Sequence, residues 1–305
     1  MLYTNTHPVV CFGETLWDML PGGKQAGGAP MNVAYHLQKL GKNPAVISRI
    51  GYDDLGKQLI ETLETKNICT EFFQMDDQKP TSVVQAEIKD GHEVVYTILN
   101  NVAWDYIEYN DELATLVSSA DYFVFGSLAT RSWQTRNTLL RLLPLAKNKV
   151  LDINLRPPFY NRQTIEMLLT HANIVKMNLA ELELITGWFS PLTTEAERIQ
   201  LLKDRFELDT VIVTRGAKGA IVCNKGELCT CTGIPIKVED TVGSGDSFLA
   251  AIIAKMLEGA TMDETLHFAN KLAAFVTTQK GACPEYDLDA IADISTNKTR
   301  NSVSR

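Results

Sequence analysis

The chain has 305 residues, 45% of them hydrophobic and 22% charged, which is enough apolar side chain for one large α/β core or two small ones. A formal net charge of -8 argues against a surface built for nonspecific capture of nucleic acid or anionic membrane. Residues 1–8 lack the basic start and apolar core of a signal peptide, and no apolar run approaches a membrane-spanning length, so the expected location is the cytoplasm.

In chain order, Val9 to Phe12 reads as a buried strand ending at Gly13. The next helix has Pro30 in its first turn, apolar Val33, Ala34, Leu37 and Leu40, and a Gly41 stop. Ala45 to Ile50 is a second strand, and Asp53 to Lys66 an amphipathic helix with Leu55, Leu59, Ile60 and Leu63 on one side. Between Thr70 and Leu99 the pattern becomes β-rich: runs at Ser82 to Ile88 and Val94 to Leu99 flank Asp90-Gly91 as a hairpin. From Asp121, strands Tyr122 to Phe125, Val150 to Asn154, Ile174 to Met177 and Val211 to Thr214 alternate with helices, which implies a parallel sheet covered by helices. Ligands in such sheets sit beyond the carboxyl ends of the strands, where Asn154, Asn178 and Thr214 fall. Ala220 to Cys223 and Leu228 to Thr232 form a hairpin around Gly226, and helices follow at Ser244 to Leu257 and Met262 to Gln279.

The six cysteines match no common zinc pattern and read as buried thiols, and the five histidines show no metal or triad spacing. Gly22-Gly23-Lys24 is followed by Gln25 where a P-loop needs Ser or Thr, and no Gly-x-Gly-x-x-Gly follows the first strand. Asp240-Thr241-Val242-Gly243-Ser244-Gly245-Asp246 stands out instead. It places two glycines and a carboxylate at the start of an apolar helix, where free N–H groups and the positive helix end can hold a phosphate. An aspartate in a first turn also serves as a plain dipole partner.

That segment resembles the C-terminal signature of the PfkB/ribokinase family of sugar and nucleoside kinases. Gly27-Gly28-Ala29-Pro30-Met31-Asn32-Val33-Ala34 through Leu40-Gly41 resembles the family's N-terminal signature. Asp152-Ile153-Asn154-Leu155-Arg156-Pro157-Pro158 and Asn100-Asn101-Val102-Ala103-Trp104-Asp105 look most like bacterial fructokinases. The resemblance covers about residues 9–287. It implies a ribokinase-like three-layer α/β/α domain over residues 1–292, with a mainly parallel sheet and a small β-sheet lid drawn mainly from about 12–30 and 70–103. The polar segment 293–305 is expected to be a disordered tail. Composition does not distinguish a lid from a dimerisation sheet, and a homodimer through the lid is one expectation.

The resemblance implies ATP-dependent phosphorylation of a sugar, fructose to fructose 6-phosphate first among candidates, with ribose, 2-keto-3-deoxygluconate or a nucleoside as the near alternatives. A catalytically silent ligand-binding relative is the alternative from another class. Phosphoryl transfer to a hydroxyl needs a positioned acceptor, neutralised phosphate oxygens and a proton acceptor. Asp246 fits the last role, and Gly243, Ser244 and Gly245 supply N–H groups to the transferring phosphate. Asp18, Gly27, Gly28 and Asn32 are the implied sugar contacts; without the family Asp18 is a surface turn residue and the glycines are an N-terminal turn. Arg156 is assigned to phosphate or sugar oxygen and Trp104 to the sugar face, against readings as a surface ion-pair partner and a core aromatic.

Asn178 and Glu181 resemble the family's Asn-x-x-Glu element, which holds Mg²⁺ and phosphate partly through water; a helix capping box is the equal local reading. Thr214, Gly216 and Gly219 resemble the nucleotide-binding turn, and Asn270 is placed near the adenine or on a helix surface. Asp240 opens the signature loop as an ordinary turn residue or beside a monovalent cation such as K⁺.

Overall fold

The computed structural model describes residues 7–20, 23–89, 93–292 and 294. Its strands are β1 (Val9–Phe12), β2 (Leu16–Leu20), β3 (Gly23–Gly27), β4 (Ala45–Gly51), β5 (Phe73–Asp76), β6 (Val83–Lys89), β7 (Glu93–Ile98), β8 (Tyr122–Gly126), β9 (Asn148–Asp152), β10 (Ile174–Asn178), β11 (Thr210–Thr214), β12 (Ala220–Asn224) and β13 (Glu227–Cys231). The helices are α1 (Ala29–Lys39), α2 (Asp54–Thr65), α3 (Asp111–Ser119), α4 (Trp133–Leu142), α5 (Arg162–His171), α6 (Leu179–Gly187), α7 (Glu195–Phe206), α8 (Ser244–Leu257), α9 (Met262–Thr277) and α10 (Leu288–Ala292).

Nine strands form one sheet in the order β13-β12-β11-β10-β9-β8-β1-β4-β5. All neighbours from β5 to β11 run parallel, and β12 and β13 close one edge as an antiparallel hairpin. The near-continuous apolar strands follow from this placement, since a parallel sheet is buried on both faces. In β1, Val10 and Phe12 pack toward α3 to α7 while Val9 and Cys11 pack toward α1, α2, α8, α9 and α10. This is the period-2 alternation of a strand between two helical layers, and each fully buried Leu or Phe in it contributes about 1.5–3 kcal/mol. The three-layer α/β/α reading is therefore correct.

A second, four-stranded sheet has the order β3-β2-β6-β7, with β2 and β6 parallel and the other pairs antiparallel. Its strands fall within residues 12–30 and 70–103. β5 lies in the interval 70–103 but pairs with β4, at the edge of the main sheet. The Asp90-Gly91 turn and the tail 293–305, apart from residue 294, lie outside the described residues. No described helix is long and apolar enough to cross a membrane.

Helix ends separate structural from available backbone. The N-caps of α2, α3, α4, α5, α6, α7 and α9 are Asp53, Asn110, Ser132, Asn161, Asn178, Thr194 and Thr261, each accepting a hydrogen bond from the third helical N–H. Helices α1 and α8 begin instead at Gly28 and Gly243, with no side-chain cap. Both of these ends face the same cavity.

Candidate active site

A cavity of about 1370 Å³ lies over the carboxyl ends of the central strands. At one end it is walled by Asp18, Gln25, Ala26, Val84 and Ile98 of the small sheet; at the other by Asn178, Thr214, Ala217, Ile234 and Asn270. The α8 terminus stands between them. Gly243 has φ +76°, and a Cβ there would come within 2.5 Å of Ala282 Cα, so only glycine lets the chain turn this tightly into the helix.

Asp246 is 9% exposed, and its Oδ2 accepts a hydrogen bond from Asn32 Nδ2 at 2.8 Å. Burial, helped by the charge of Asp152, pushes its pKa up to about 6, while Lys176, the Asn32 bond and Arg156 oppose the rise. Asn32 Oδ1 in turn accepts from Cys283 Sγ at 3.3 Å, so the amide is held on both sides. Asp18, on β2, has its pKa raised to about 6 by burial against the pull of Arg156. A Cβ at Gly27 would fall 2.3 Å from Asp18 Oδ2, and one at Gly28 (φ +114°) 2.3 Å from the Glu14 carbonyl. These glycines therefore make room for Asp18 and for the turn into α1, and Gly28 also lines the cavity. Arg156 is exposed in the cavity wall, where its charge acts on Asp18, Glu14 and Asp246 together.

Asn178 and Glu181 do form the capping box: Glu181 N donates to Asn178 Oδ1 at 2.9 Å and Asn178 N donates to Glu181 Oε2 at 2.8 Å. Glu181 Oε1 also accepts from Leu155 N at 2.8 Å, and both residues line the cavity. Asp240 accepts from Val242 N and Gly281 N, each at 3.0 Å, fixing the loop before α8. Thr214 and Gly216 line the far end, as does Asn270, whose Nδ2 donates to Thr232 O at 2.8 Å.

Three assignments need correction. Gly27, expected as a sugar contact, makes room for Asp18 but does not line the cavity. Trp104 is fully buried in the core beneath α4, with the Arg131 guanidinium 3.8 Å from its ring centre, and forms no part of the cavity wall. Gly219 (φ +89°) packs where a Cβ would sit 2.1 Å from Cys231 O, so it shapes the turn into β12 and does not line the cavity.

Sequence reasoning also missed residues. Asp152 and Lys176 line the cavity as a buried ion pair, Nζ to Oδ2 2.8 Å. The available signal was a lysine inside the apolar run Ile174-Val175-Lys176-Met177. Glu14 is buried there too; Oε1 accepts from Ala29 N, Oε2 has no hydrogen-bond partner, and burial raises its pKa to about 7. Tertiary structure further brings His7, Cys69 and Glu71 within 4.8 Å of one another, a grouping that spacing did not reveal, but at the amino ends of β1 and β4 and away from the cavity.

An open α/β sheet with a deep cleft beyond its strand ends, an uncapped glycine-bounded helix terminus and a buried carboxylate beside it has the form of a group-transfer enzyme that handles anions. Residues 8–288 match the pfkB family of carbohydrate kinases, and the chain belongs to that family: it is an ATP-dependent carbohydrate kinase. It is 27% identical to a probable fructokinase-7 of Arabidopsis thaliana, across 94% of this chain and 92% of the relative. It is 26% identical to a fructokinase of Salmonella typhimurium, across 88% and 93%. An uncharacterized sugar kinase from Pyrococcus horikoshii superposes with a TM-score of 0.81 at 25% identity, covering 93% of this chain and 96% of that one. A Xylella fastidiosa fructokinase crystallised with ATP shares the fold at a TM-score of 0.83 and 19% identity, covering 94% and 98%.

Proposed function

We propose that this kinase transfers the γ-phosphoryl group of ATP to fructose, giving fructose 6-phosphate. The observation that carries the reading is Asp246, buried in the first turn of α8 and turned by Asn32 toward the end of the cleft that holds Asp18. The sugar occupies that end, with Asp18 and Arg156 on its oxygens. The acceptor hydroxyl lies against Asp246, which takes its proton as the bond to phosphorus forms. The N–H groups of Gly243, Ser244 and Gly245 hold the phosphoryl oxygens. ATP lies toward Thr214, Gly216 and Asn270.

Magnesium is the expected companion of ATP and supplies charge neutralisation on the phosphates. Both Glu181 oxygens already accept a backbone N–H, so the carboxylate retains limited capacity and suits a metal held through water, with the Asn178 side chain beside it. Asp240, whose Oδ1 accepts from Val242 N in its own loop and Oδ2 from Gly281 N after α9, offers a monovalent cation such as K⁺ a place next to the α8 turn. Similarity to proteins named fructokinases is the ground for choosing fructose ahead of ribose, 2-keto-3-deoxygluconate and nucleosides, and a homodimer through the small sheet is part of the same proposal.

The test is ADP release with fructose, ribose, 2-keto-3-deoxygluconate, tagatose and adenosine, with and without K⁺. A kcat/KM for any competitor more than tenfold above that for fructose overturns the choice of sugar. Absence of ADP release with every sugar would favour a ligand-binding relative.

A further inference from the structure

Lys176 is a cation placed where structure alone gives it little reward. It stands in β10 between apolar Val175 and Met177, and strand alternation turns it toward α8. The sheet register sets it directly opposite Asp152 of β9, and its Nζ donates to Oδ1 and Oδ2 of that residue at 3.0 and 2.8 Å. The two side chains are 8% and 5% exposed. A Cβ on Gly245 would come within 3.1 Å of the same nitrogen, so the ammonium rests against the first turn of α8. A helix N-terminus is the positive end of the macrodipole and disfavours a neighbouring cation. A buried ion pair, moreover, often stabilises no better than apolar residues of equal volume. Yet both residues border the cleft beside Asp246, and Asp152 takes only two of the three protons of the ammonium. An anion entering between Lys176 and the α8 N–H groups would turn this cost into attraction.

We propose that Lys176 is a further catalytic residue, contacting the phosphoryl group as it crosses from ATP to the acceptor, and that Asp152 is its positioning residue. This rests on reading the Asp246 end of the cleft as the site of transfer. The acceptor oxygen bonds to the γ-phosphorus, and the bond from that phosphorus to the β–γ bridging oxygen breaks, leaving its electron pair on ADP. The acceptor proton passes to Asp246. Lys176 exchanges no atoms; it holds a fixed positive charge beside the equatorial oxygens, which the backbone N–H groups of α8 contact from the helix side. Asp152 keeps the empty site near neutrality and prevents the ammonium from swinging toward Glu181 or Asp246, the other carboxylates whose charges reach it.

The test compares Lys176→Met, Asp152→Asn, the double variant and Asp246→Asn, using whichever sugar the unaltered protein phosphorylates. Single-turnover transfer, thermal melting, and binding of ADP with and without aluminium fluoride are measured; aluminium fluoride mimics the flat phosphoryl group. Lys176→Met is expected to slow transfer by about 10²–10³-fold, the range seen on removing one such donor. ADP binding should stay within a few-fold, while the extra affinity that aluminium fluoride gives ADP is lost. The double variant removes both buried charges and should melt near the unaltered protein, yet remain as slow as Lys176→Met. Recovery of transfer together with melting in the double variant, or transfer within tenfold of normal in Lys176→Met, would overturn the proposal. Should Lys176→Met fail to fold, the double variant decides alone. If Asp246→Asn keeps a normal rate while the lysine variants are slow, Asp246 is not the base and the assignment of Lys176 stands.

Discussion

Asn32 Nδ2 donates to Asp246 Oδ2 at 2.8 Å, joining the first turns of α1 and α8 across 214 residues of sequence. The N-terminal signature thus reaches the carboxylate of the C-terminal one directly. In the proposed mechanism Asn32 orients the base, whereas Asp18 faces the sugar from the small sheet. Asp18→Ala is therefore expected to raise KM for sugar, by about 10- to 100-fold for a lost hydrogen bond to a charged group, and Asn32→Ala to lower kcat. Titrating sugar at saturating ATP separates the two; a loss of ATP affinity in either variant would contradict the placement.

Asp246→Asn should reduce kcat by at least about 10²-fold while leaving ATP affinity within a few-fold, because a positioned proton acceptor contributes about 10²–10⁴. Near-normal turnover would remove Asp246 as the base.

The same substitution should stabilise the fold. Asp246 has its pKa raised from 3.8 to about 6, so between those values the folded state binds more protons than the unfolded one. The ionised buried carboxylate then costs stability that is absent below about pH 4, grows as pH rises to about 6 and is constant above it. Relative to the unaltered protein, Asp246→Asn should gain melting temperature over that interval, with a ceiling of about 3 kcal/mol. Thermal melts at pH 4, 6 and 8 check the sign; a gain confined to low pH would be incompatible with it.

Activity should fall on the acid side for a related reason. Asp246 and Asp18 both have pKa values of about 6 and both act ionised in the proposed mechanism. The log of kcat/KM for sugar should descend below pH 6 with a slope approaching two, reduced to one in Asp18→Asn. An unchanged slope in that variant would free Asp18 from any such requirement.

The turn into α8 gives a steric prediction. Gly243→Ala combines φ +76° with a contact of 2.5 Å to Ala282 Cα, and Gly245→Ala presses a methyl to 3.1 Å from Lys176 Nζ. Both should cost far more activity than Ser244→Ala, which leaves the backbone N–H in place. Equal rates in the three variants would mean the loop holds no phosphate.

Much of this was legible in the sequence because it is local. Apolar runs alternating with amphipathic helices gave the parallel sheet, and the glycines around Asp246 gave the α8 turn. β2 and β3 were not resolved as separate strands, since Lys24 and Gln25 are exposed and the segment lacks clean alternation. The Asp152–Lys176 pair was invisible because only the parallel register of β9 and β10 sets residues 24 apart side by side. For Trp104 the core-aromatic reading holds and the sugar-face reading does not: Asp105 binds Arg131, which stacks over the indole and covers it, a contact between residues 26 or more apart that the sequence does not display.

The small sheet is fastened wherever its chain leaves the core. Gly13 N donates to Ile47 O and Gly13 O accepts from Ser48 Oγ; Ala29 N donates to Glu14; Thr81 is clasped by Gly51 and Asp53; and Leu99 O accepts from Arg131. Each of these four roots is thus tied to the main sheet or its flanking segments by at least one hydrogen bond. If this sheet covers a sugar as proposed, anchored roots favour movement spread along its strands as a change of twist, like a bent leaf spring rather than a swinging door.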